Sequence, residues 1–236
     1  MSLEIKGFLL TSFIDWDGKI VSVVFLPNCN FHCPFCHNAG LISHPQNYET
    51  IPEERVLRYL AEHRDFLDGI CVTGGEPSLH KDQGLFEFMR KVKQAGFAIK
   101  FDTNGSDPDC LRSLIEQKLI DYIAMDIKGP LDERYDKLAG VKVSLPKIKA
   151  SIKLIRESGL PYELRTTVVP TLLDEQDIVD LARQLTGESS WVLQQFIAQN
   201  ASDESLRGLP SYTPEKLKIM LAKVRELVPQ ARIRGI

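Results

Sequence analysis

Cysteine is scarce in this chain, five in 236 residues, and three of the five crowd into one short stretch while the others stand alone at 71 and 110. A secreted disulfide framework would need a shorter chain with an even, paired complement, so the thiols serve packing or soft-ligand chemistry instead. Long apolar runs are missing too. Nothing approaches the ~20 residues of a membrane span, and Met1-Ser2-Leu3-Glu4 lacks the pattern of a secretory leader. Neither sign of charge is in excess: 29 Lys+Arg against 32 Asp+Glu leave −3, which gives no reason to expect nucleic acid or an anionic membrane as partner. No low-complexity tract and no interdomain linker interrupts the chain. What remains is the composition of a soluble globular protein, 43% hydrophobic and 26% charged. The expectation is one cytoplasmic α/β domain over residues 1–236.

The clustered cysteines lie in Pro27-Asn28-Cys29-Asn30-Phe31-His32-Cys33-Pro34-Phe35-Cys36-His37-Asn38-Ala39-Gly40. Cys29, Cys33 and Cys36 have the spacing C-x3-C-x2-C. Ile20–Leu26 before them is apolar and β-branched, which reads as a buried parallel strand. The thiols therefore stand on a loop at the carboxyl end of a strand, where α/β folds place their ligand sites. Thiolates select zinc, copper(I) or an iron–sulfur cluster. Structural zinc wants a fourth ligand, and His37 or His32 is near enough to supply it. A cluster held by three cysteines leaves one iron open to a substrate. Cys71, in a predicted strand, and Cys110, at a helix start, read as packing residues.

Along the rest of the chain, apolar strands alternate with helices of 3.6-residue period. Residues 1–18 form an N-terminal extension: Phe8–Ile14 reads as a strand joined to residues 19–26 by the Asp-Gly hairpin signal at Asp17-Gly18. Thr50-Ile51-Pro52-Glu53 reads as a capping box before Val56, Leu57 and Leu60. Strands follow at 69–73, 97–101, 122–127, 162–169 and 191–197. The helices between them show inner faces such as Leu85, Phe88, Met89, Val92 and Ile178, Leu181, Ala182, Leu185. Thr213-Pro214 opens a closing helix, and 231–236 reads as a short last strand within the C-terminal segment 201–236. Residues 200–211 are polar and loop-like. Six parallel strands, joined by right-handed crossovers, are too few to close an eight-stranded barrel. The expected fold of the 19–200 core is a partial (β/α)6 barrel resembling a TIM barrel, open on one side; an open doubly wound sheet is the alternative.

Function should then gather at strand ends. The second strand ends in Thr73-Gly74-Gly75-Glu76-Pro77, where two glycines let a ligand approach the backbone and Glu76 can accept from an ammonium group. The same residues also suit a plain strand-to-helix turn. The next ends carry Asp102-Thr103-Asn104-Gly105 and Met125-Asp126-Ile127-Lys128, and the fifth strand carries Arg165. Each acid alone reads equally well as a cap. Together, two carboxylates and a lysine inside an apolar barrel are costly to bury unless they are used.

Cys-Asn-Phe-His-Cys-Pro-Phe-Cys-His-Asn resembles the cluster motif of the radical S-adenosylmethionine enzymes, and most of all the activases of glycyl-radical enzymes. The likeness covers about residues 7–200. It implies a [4Fe–4S] cluster on Cys29, Cys33 and Cys36, with Phe35 as the usual aromatic, and S-adenosylmethionine chelating the fourth iron. Gly74, Gly75 and Glu76 match the stretch that grips the methionine amine. Asp102, Asn104, Asp126 and Lys128 match the cofactor pocket, and Asp102, Thr103 and Asp126 resemble a monovalent-cation site. Arg165 matches an arginine that contacts the cofactor. Where pyruvate formate-lyase activases have a histidine, this chain has Gln195. Thr11–Gly18 instead resembles the start of anaerobic ribonucleotide reductase activators. The implied reaction is reductive cleavage to a 5′-deoxyadenosyl radical, fed by a flavodoxin- or ferredoxin-type donor, that installs a glycyl radical on a partner enzyme. The rivals are a radical enzyme acting on a small molecule of the nucleoside-precursor type, and a non-catalytic zinc module.

Overall fold

Between residues 21 and 195 the apolar runs become strands and the periodic segments become helices that cover them. The structure is a computed structural model describing residues 2–236. It contains one eight-stranded sheet whose spatial order follows the chain. β1 (Gly7–Ser12) pairs antiparallel with β2 (Val21–Leu26). Next come β3 (Gly69–Gly74), β4 (Ala98–Thr103), β5 (Tyr122–Asp126), β6 (Tyr162–Val168), β7 (Trp191–Gln195) and β8 (Arg232–Arg234), every neighbouring pair from β2 onward parallel. The six core strands are thus β2–β7, with β8 adding a seventh parallel strand. The sheet stays open between β1 and β8.

The helices are α1 (Ala39–Ser43), α2 (Glu53–Glu62), α3 (Phe86–Gln94), α4 (Pro108–Glu116), α5 (Arg134–Ala139), α6 (Leu145–Glu157), α7 (Glu175–Gln184), α8 (Glu204–Arg207) and α9 (Pro214–Val224). Their apolar stripes face the sheet as the periodicity required: Leu85, Phe88, Met89 and Val92 are fully buried, as are Ile178, Leu181 and Ala182. Asp107 and Thr213 cap α4 and α9 through their side chains. The Thr50–Glu53 capping box does not form, because Pro52 occupies the N-cap and Ile51 is bridged to Ile5. Glu53 turns inward and accepts from the Leu3 N–H at 2.6 Å and from Lys91 at 2.9 Å, tying down the N-terminal segment. The Asp17-Gly18 hairpin also differs from expectation. Its connection runs from 13 to 20 because Trp16 folds back under the sheet.

That tryptophan closes the floor of the barrel. Trp16 packs on Val21, Val23 and Cys71 in a small inner core, separate from the main core between sheet and helices, and its ring lies 5.5 Å from that of Tyr122. Asp17 beside it binds Arg232 and Arg234 across the open edge. Above this plug the interior is charged rather than apolar, which corrects the expectation. Lys100, Glu163 and Arg165 all point inward with 2%, 1% and 8% exposure. Glu163 accepts from Arg232 at 2.7 Å and Arg234 at 2.8 Å, and lies 3.7 Å from Lys100.

A buried carboxylate among four cationic side chains is expensive to neutralise. Glu163→Gln is expected to cost about 3 kcal/mol, the low end for breaking a buried pair, since Arg232 and Arg234 keep partial access to water. Urea unfolding checks this: the midpoint should fall with the slope unchanged, and a cost below about 0.5 kcal/mol, within the scatter of neutral surface changes, would contradict the assignment.

Candidate active site

At the end of β2 the chain leaves the sheet through Asn28, whose φ is +62°, and enters the cysteine loop. Four separate segments hold that loop. Gly75 N–H donates to Leu26 O and Glu76 N–H to Asn28 O, each at 2.8 Å. The approach is so close that a Cβ on Gly75 would lie 1.8 Å from Asn28 O, and Gly74 sits at φ +121°. The glycine pair therefore brings backbone to backbone as well as opening the end of β3 toward the cleft. From the other side, His32 N–H donates to Ala139 O at 2.8 Å, and Gly140 (φ +68°) lies against His32 O. Ser202 Oγ donates to Cys33 O at 2.8 Å and Asp203 N–H to Pro34 O at 2.9 Å. His37 Nε2 lies 3.0 Å from Ile197 O. Neither α5 nor these 197–203 contacts was anticipated; the Ala-Gly pair at 139–140 was the available signal for α5, as a helix C-terminus.

Cys29, Cys33 and Cys36 share one cleft with Phe35, Gly74, Gly75, Asp102, Thr103, Asn104, Asp126 and Lys128. Phe31, Asn38 and Thr167, not singled out by the sequence, line it as well. Burial pushes the Cys29 thiol up to about 12 and raises Cys33 and Cys36, with Lys128 pulling each back. Three thiols that resist ionising alone are suited to a cationic centre that displaces their protons.

Glu76 is not in this cleft. It is 1% exposed, and its carboxylate accepts from Ser78 N–H at 3.2 Å, Thr103 Oγ at 2.8 Å and Asn104 N–H at 2.7 Å. Burial raises its pKa, while Ser78, Asn104 and Thr103 oppose the rise. The expected ammonium acceptor is thus occupied in joining the ends of β3 and β4. Asn104 is likewise engaged: Nδ2 donates to Asn30 Oδ1 at 2.9 Å and reaches Cys29 Sγ at 3.8 Å.

Arg165 lies beneath the cleft, donating to Asp126 Oδ1 at 2.8 Å and to Asp102 Oδ2 at 3.1 Å. Its guanidinium stands between the two carboxylates where a monovalent cation was expected, and Thr103 has turned its hydroxyl to Glu76. Burial would raise the Asp126 pKa, but Arg165 and Lys128 outweigh it and hold the group near about 2. Lys128 Nζ is 3.5 Å from Asp126 Oδ2. Burial opposes its charge, yet the ionised Asp126 beside it keeps it firmly protonated. Gln195 lies apart, donating to Tyr212 O at 2.8 Å. Asp102 Oδ1 is buried with no hydrogen-bond donor; its nearest cation, Lys100 Nζ, is at ion-pair distance, 3.4 Å.

These features fit a cluster with a chelated amino acid moiety. The three ligands are soft, and the Asp126 carboxylate and the Lys128 ammonium face the same space. Closed tetrahedral zinc fits less well, since among the described residues no three His, Cys, Asp or Glu side chains gather around one point.

Glu76→Gln tests the joint below the cleft. Whichever way the amide turns, its NH2 faces a backbone N–H or the Thr103 hydroxyl, leaving a buried donor unsatisfied. The expected loss is about 1–3 kcal/mol, read as a lowered urea midpoint, and a variant as stable as the parent would remove Glu76 from this role.

Comparison with known proteins agrees with the geometry. The Radical SAM superfamily profile matches residues 23–185. A Methanocaldococcus jannaschii protein, named as a candidate glycyl-radical enzyme activating enzyme, is 34% identical over 242 residues, 100% of this chain and 98% of its own length. The pyruvate formate-lyase-activating enzyme of Listeria monocytogenes is 29% identical over 66% of this chain and 64% of its own. Among solved structures, Streptococcus suis SuiB has a TM-score of 0.64 at 16% identity, over 88% of this chain and 46% of that one. A domain of the Bacteroides vulgatus pyruvate-formate lyase-activating enzyme has a TM-score of 0.57 at 19% identity, over 71% of this chain and 99% of that one. Those two show the fold, a partial barrel. Superfamily members use a [4Fe–4S] cluster and S-adenosylmethionine, and the chain belongs to the Radical SAM superfamily, in its glycyl-radical enzyme activating type.

Proposed function

We propose that this protein cleaves S-adenosylmethionine reductively and uses the resulting radical to abstract hydrogen from a backbone glycine of a partner enzyme. The observation that carries the reading is the shared cleft: three thiols from one loop face Asp102, Asp126 and Lys128 from the ends of β4 and β5. Full-length likeness to a candidate activase supports the choice of substrate.

When bound, the cluster supplies the electron that splits the sulfonium into methionine and a 5′-deoxyadenosyl radical. The chain's own residues bind and orient. Cys29, Cys33 and Cys36 would hold the cluster, with room beside them for the amino and carboxylate groups of the methionine moiety. Asp126, which lines the cleft and keeps 33% of its side chain exposed beside Lys128, accepts from the ammonium. Lys128 pairs with the carboxylate. Arg165, committed to Asp102 and Asp126, positions both acids from below. Phe31 and Phe35, 4% and 7% exposed, provide the apolar walls that keep water from the radical. The electron donor is of the flavodoxin or ferredoxin type, and an anaerobic ribonucleotide reductase is the first partner to test, ahead of a formate-lyase-type enzyme.

Anaerobic reconstitution with iron and sulfide is expected to yield about four irons in the parent and in Cys71→Ala and Cys110→Ala, but not in Cys29→Ala, Cys33→Ala or Cys36→Ala. Full iron in Cys33→Ala would overturn the ligand set. Lys128→Ala is expected to weaken S-adenosylmethionine binding roughly 10- to 150-fold, the equivalent of one charge-assisted hydrogen bond, with iron content unchanged; calorimetric titration reads it. The substrate is tested by paramagnetic resonance. Reduced protein with S-adenosylmethionine and a glycyl-radical partner should give a doublet, because the remaining α-hydrogen splits the signal. α-Deuterated glycine in the partner should collapse it and move deuterium into 5′-deoxyadenosine. Deoxyadenosine formation that ignores every such partner and responds to a small molecule would select the rival substrate class.

A further inference from the structure

We propose that Asn104 is a hydrogen-bond donor to the Cys29 sulfur and raises the reduction potential of the cluster that Cys29 helps to hold. This rests on the ligand set proposed above, and goes beyond it by giving Asn104 a role toward the sulfur rather than toward S-adenosylmethionine.

The orientation of the Asn104 amide follows from its neighbours. Ser106 N–H, which can only donate, lies 2.9 Å from Oδ1. The oxygen of the amide is therefore fixed on the Ser106 side and the NH2 on the Cys29 side. One amide hydrogen meets Asn30 Oδ1 at 2.9 Å, and Asn30 Nδ2 in turn donates to Ser106 Oγ at 2.8 Å, closing a ring through residues 30, 104 and 106. The second hydrogen is left for Cys29 Sγ at 3.8 Å, within range for a sulfur acceptor. Asn104 is 6% exposed, which limits the competition of solvent for that hydrogen. Its backbone is fixed from beneath by Glu76 Oε2. Among the described residues it is the side chain that donates to a sulfur of the trio; the other donor to Cys29 is the Phe31 N–H at 3.4 Å.

A donor aimed at a cluster thiolate stabilises the reduced, more negative state more than the oxidised one, and this is a recognised lever on cluster potential. In a buried site the effect is screened little. Removing the donor should therefore make the cluster harder to reduce while leaving its iron in place.

The experiment is a redox titration of reconstituted protein against dithionite-poised mediators, followed by the paramagnetic signal of the reduced cluster. Asn104→Ala is expected to lower the reduced-to-oxidised ratio at the parent midpoint tenfold or more, which is 59 mV or more for a one-electron couple. Asn104→Asp, which keeps the acceptor for Ser106 but turns an oxygen to Cys29, should shift it further in the same direction. Asn30→Ala disturbs the ring but leaves the donor, and should stay within threefold of the parent. An unshifted midpoint in Asn104→Ala with about four irons overturns the proposal and leaves the ligand set standing. Full iron in Cys29→Ala overturns the ligand set itself. If the Asn104 variants take up no iron, the parent decides: with asparagine side-chain amides labelled with 15N, pulsed resonance on the reduced cluster should show a nitrogen coupling, and its absence overturns the proposal.

Discussion

A single buried carboxylate sets the register of the cofactor loop. Glu76 cannot hydrate, and an acceptor-only group in that position is stable only while donors surround it. Those donors come from two places, its own turn at Ser78 and the end of β4 at Thr103 and Asn104. Its backbone N–H meanwhile reaches Asn28 O at the end of β2. One residue therefore fastens three neighbouring strand ends, and a slip of any one would leave a charge or a backbone donor uncompensated. The cysteine loop inherits this rigidity, because Cys29 follows Asn28 directly and Asn104 sits against its sulfur. The Gly-Gly-Glu-Pro stretch is thus a mechanical joint whose glycines also border the cleft.

Beneath that joint the barrel is filled with paired charge. From the floor upward run Asp17 with Arg232 and Arg234, then Glu163 with Lys100, then Arg165 between Asp102 and Asp126. Such pairs contribute little net stability over an apolar filling. What they do supply is direction: each ion is held by the layer below, so the carboxylates at the top are presented at fixed positions. Arg165 is decisive here, because its guanidinium stands between two acids of like charge and holds Asp126 ionised. Trp16 makes the arrangement workable by sealing the floor against bulk water.

Strand and helix identities were legible because burial on two faces or one imposes different periods, and every predicted strand of the core appeared within a few residues. The thiol trio was legible from spacing alone. What escaped was long-range. Thr50-Ile51-Pro52-Glu53 has the letters of a capping box, but Glu53 is drawn away by Leu3 N–H and Lys91, contacts 50 and 38 residues distant. Arg165 was read as touching the cofactor since its place on β6 is right, whereas its two hydrogen-bonded partners, 39 and 63 residues away, draw it below the cleft. Gln195 and Glu76 turn to protein partners for the same reason, Tyr212 O for the one and the donors of Ser78, Thr103 and Asn104 for the other: sequence gives the strand end, and only packing gives the direction of the side chain.

The open edge follows from the same accounting of contacts. Between β1 and β8 no ladder forms, and the gap is crossed at two levels: Asp17 to Arg232 and Arg234 at the floor, and residues 197–203 to the cysteine loop at the mouth. The lower bridge is ionic and shared with Glu163, so it belongs to the barrel's internal charge system. The upper bridge is made of hydrogen bonds to the carbonyls of Cys33, Pro34 and Ile197, each individually worth about 1 kcal/mol. In the proposed reaction a protein substrate would bring its glycine backbone to a cleft bordered by the ends of β2–β5, and the upper crossing, the nearer to the cysteines, is the one it would meet.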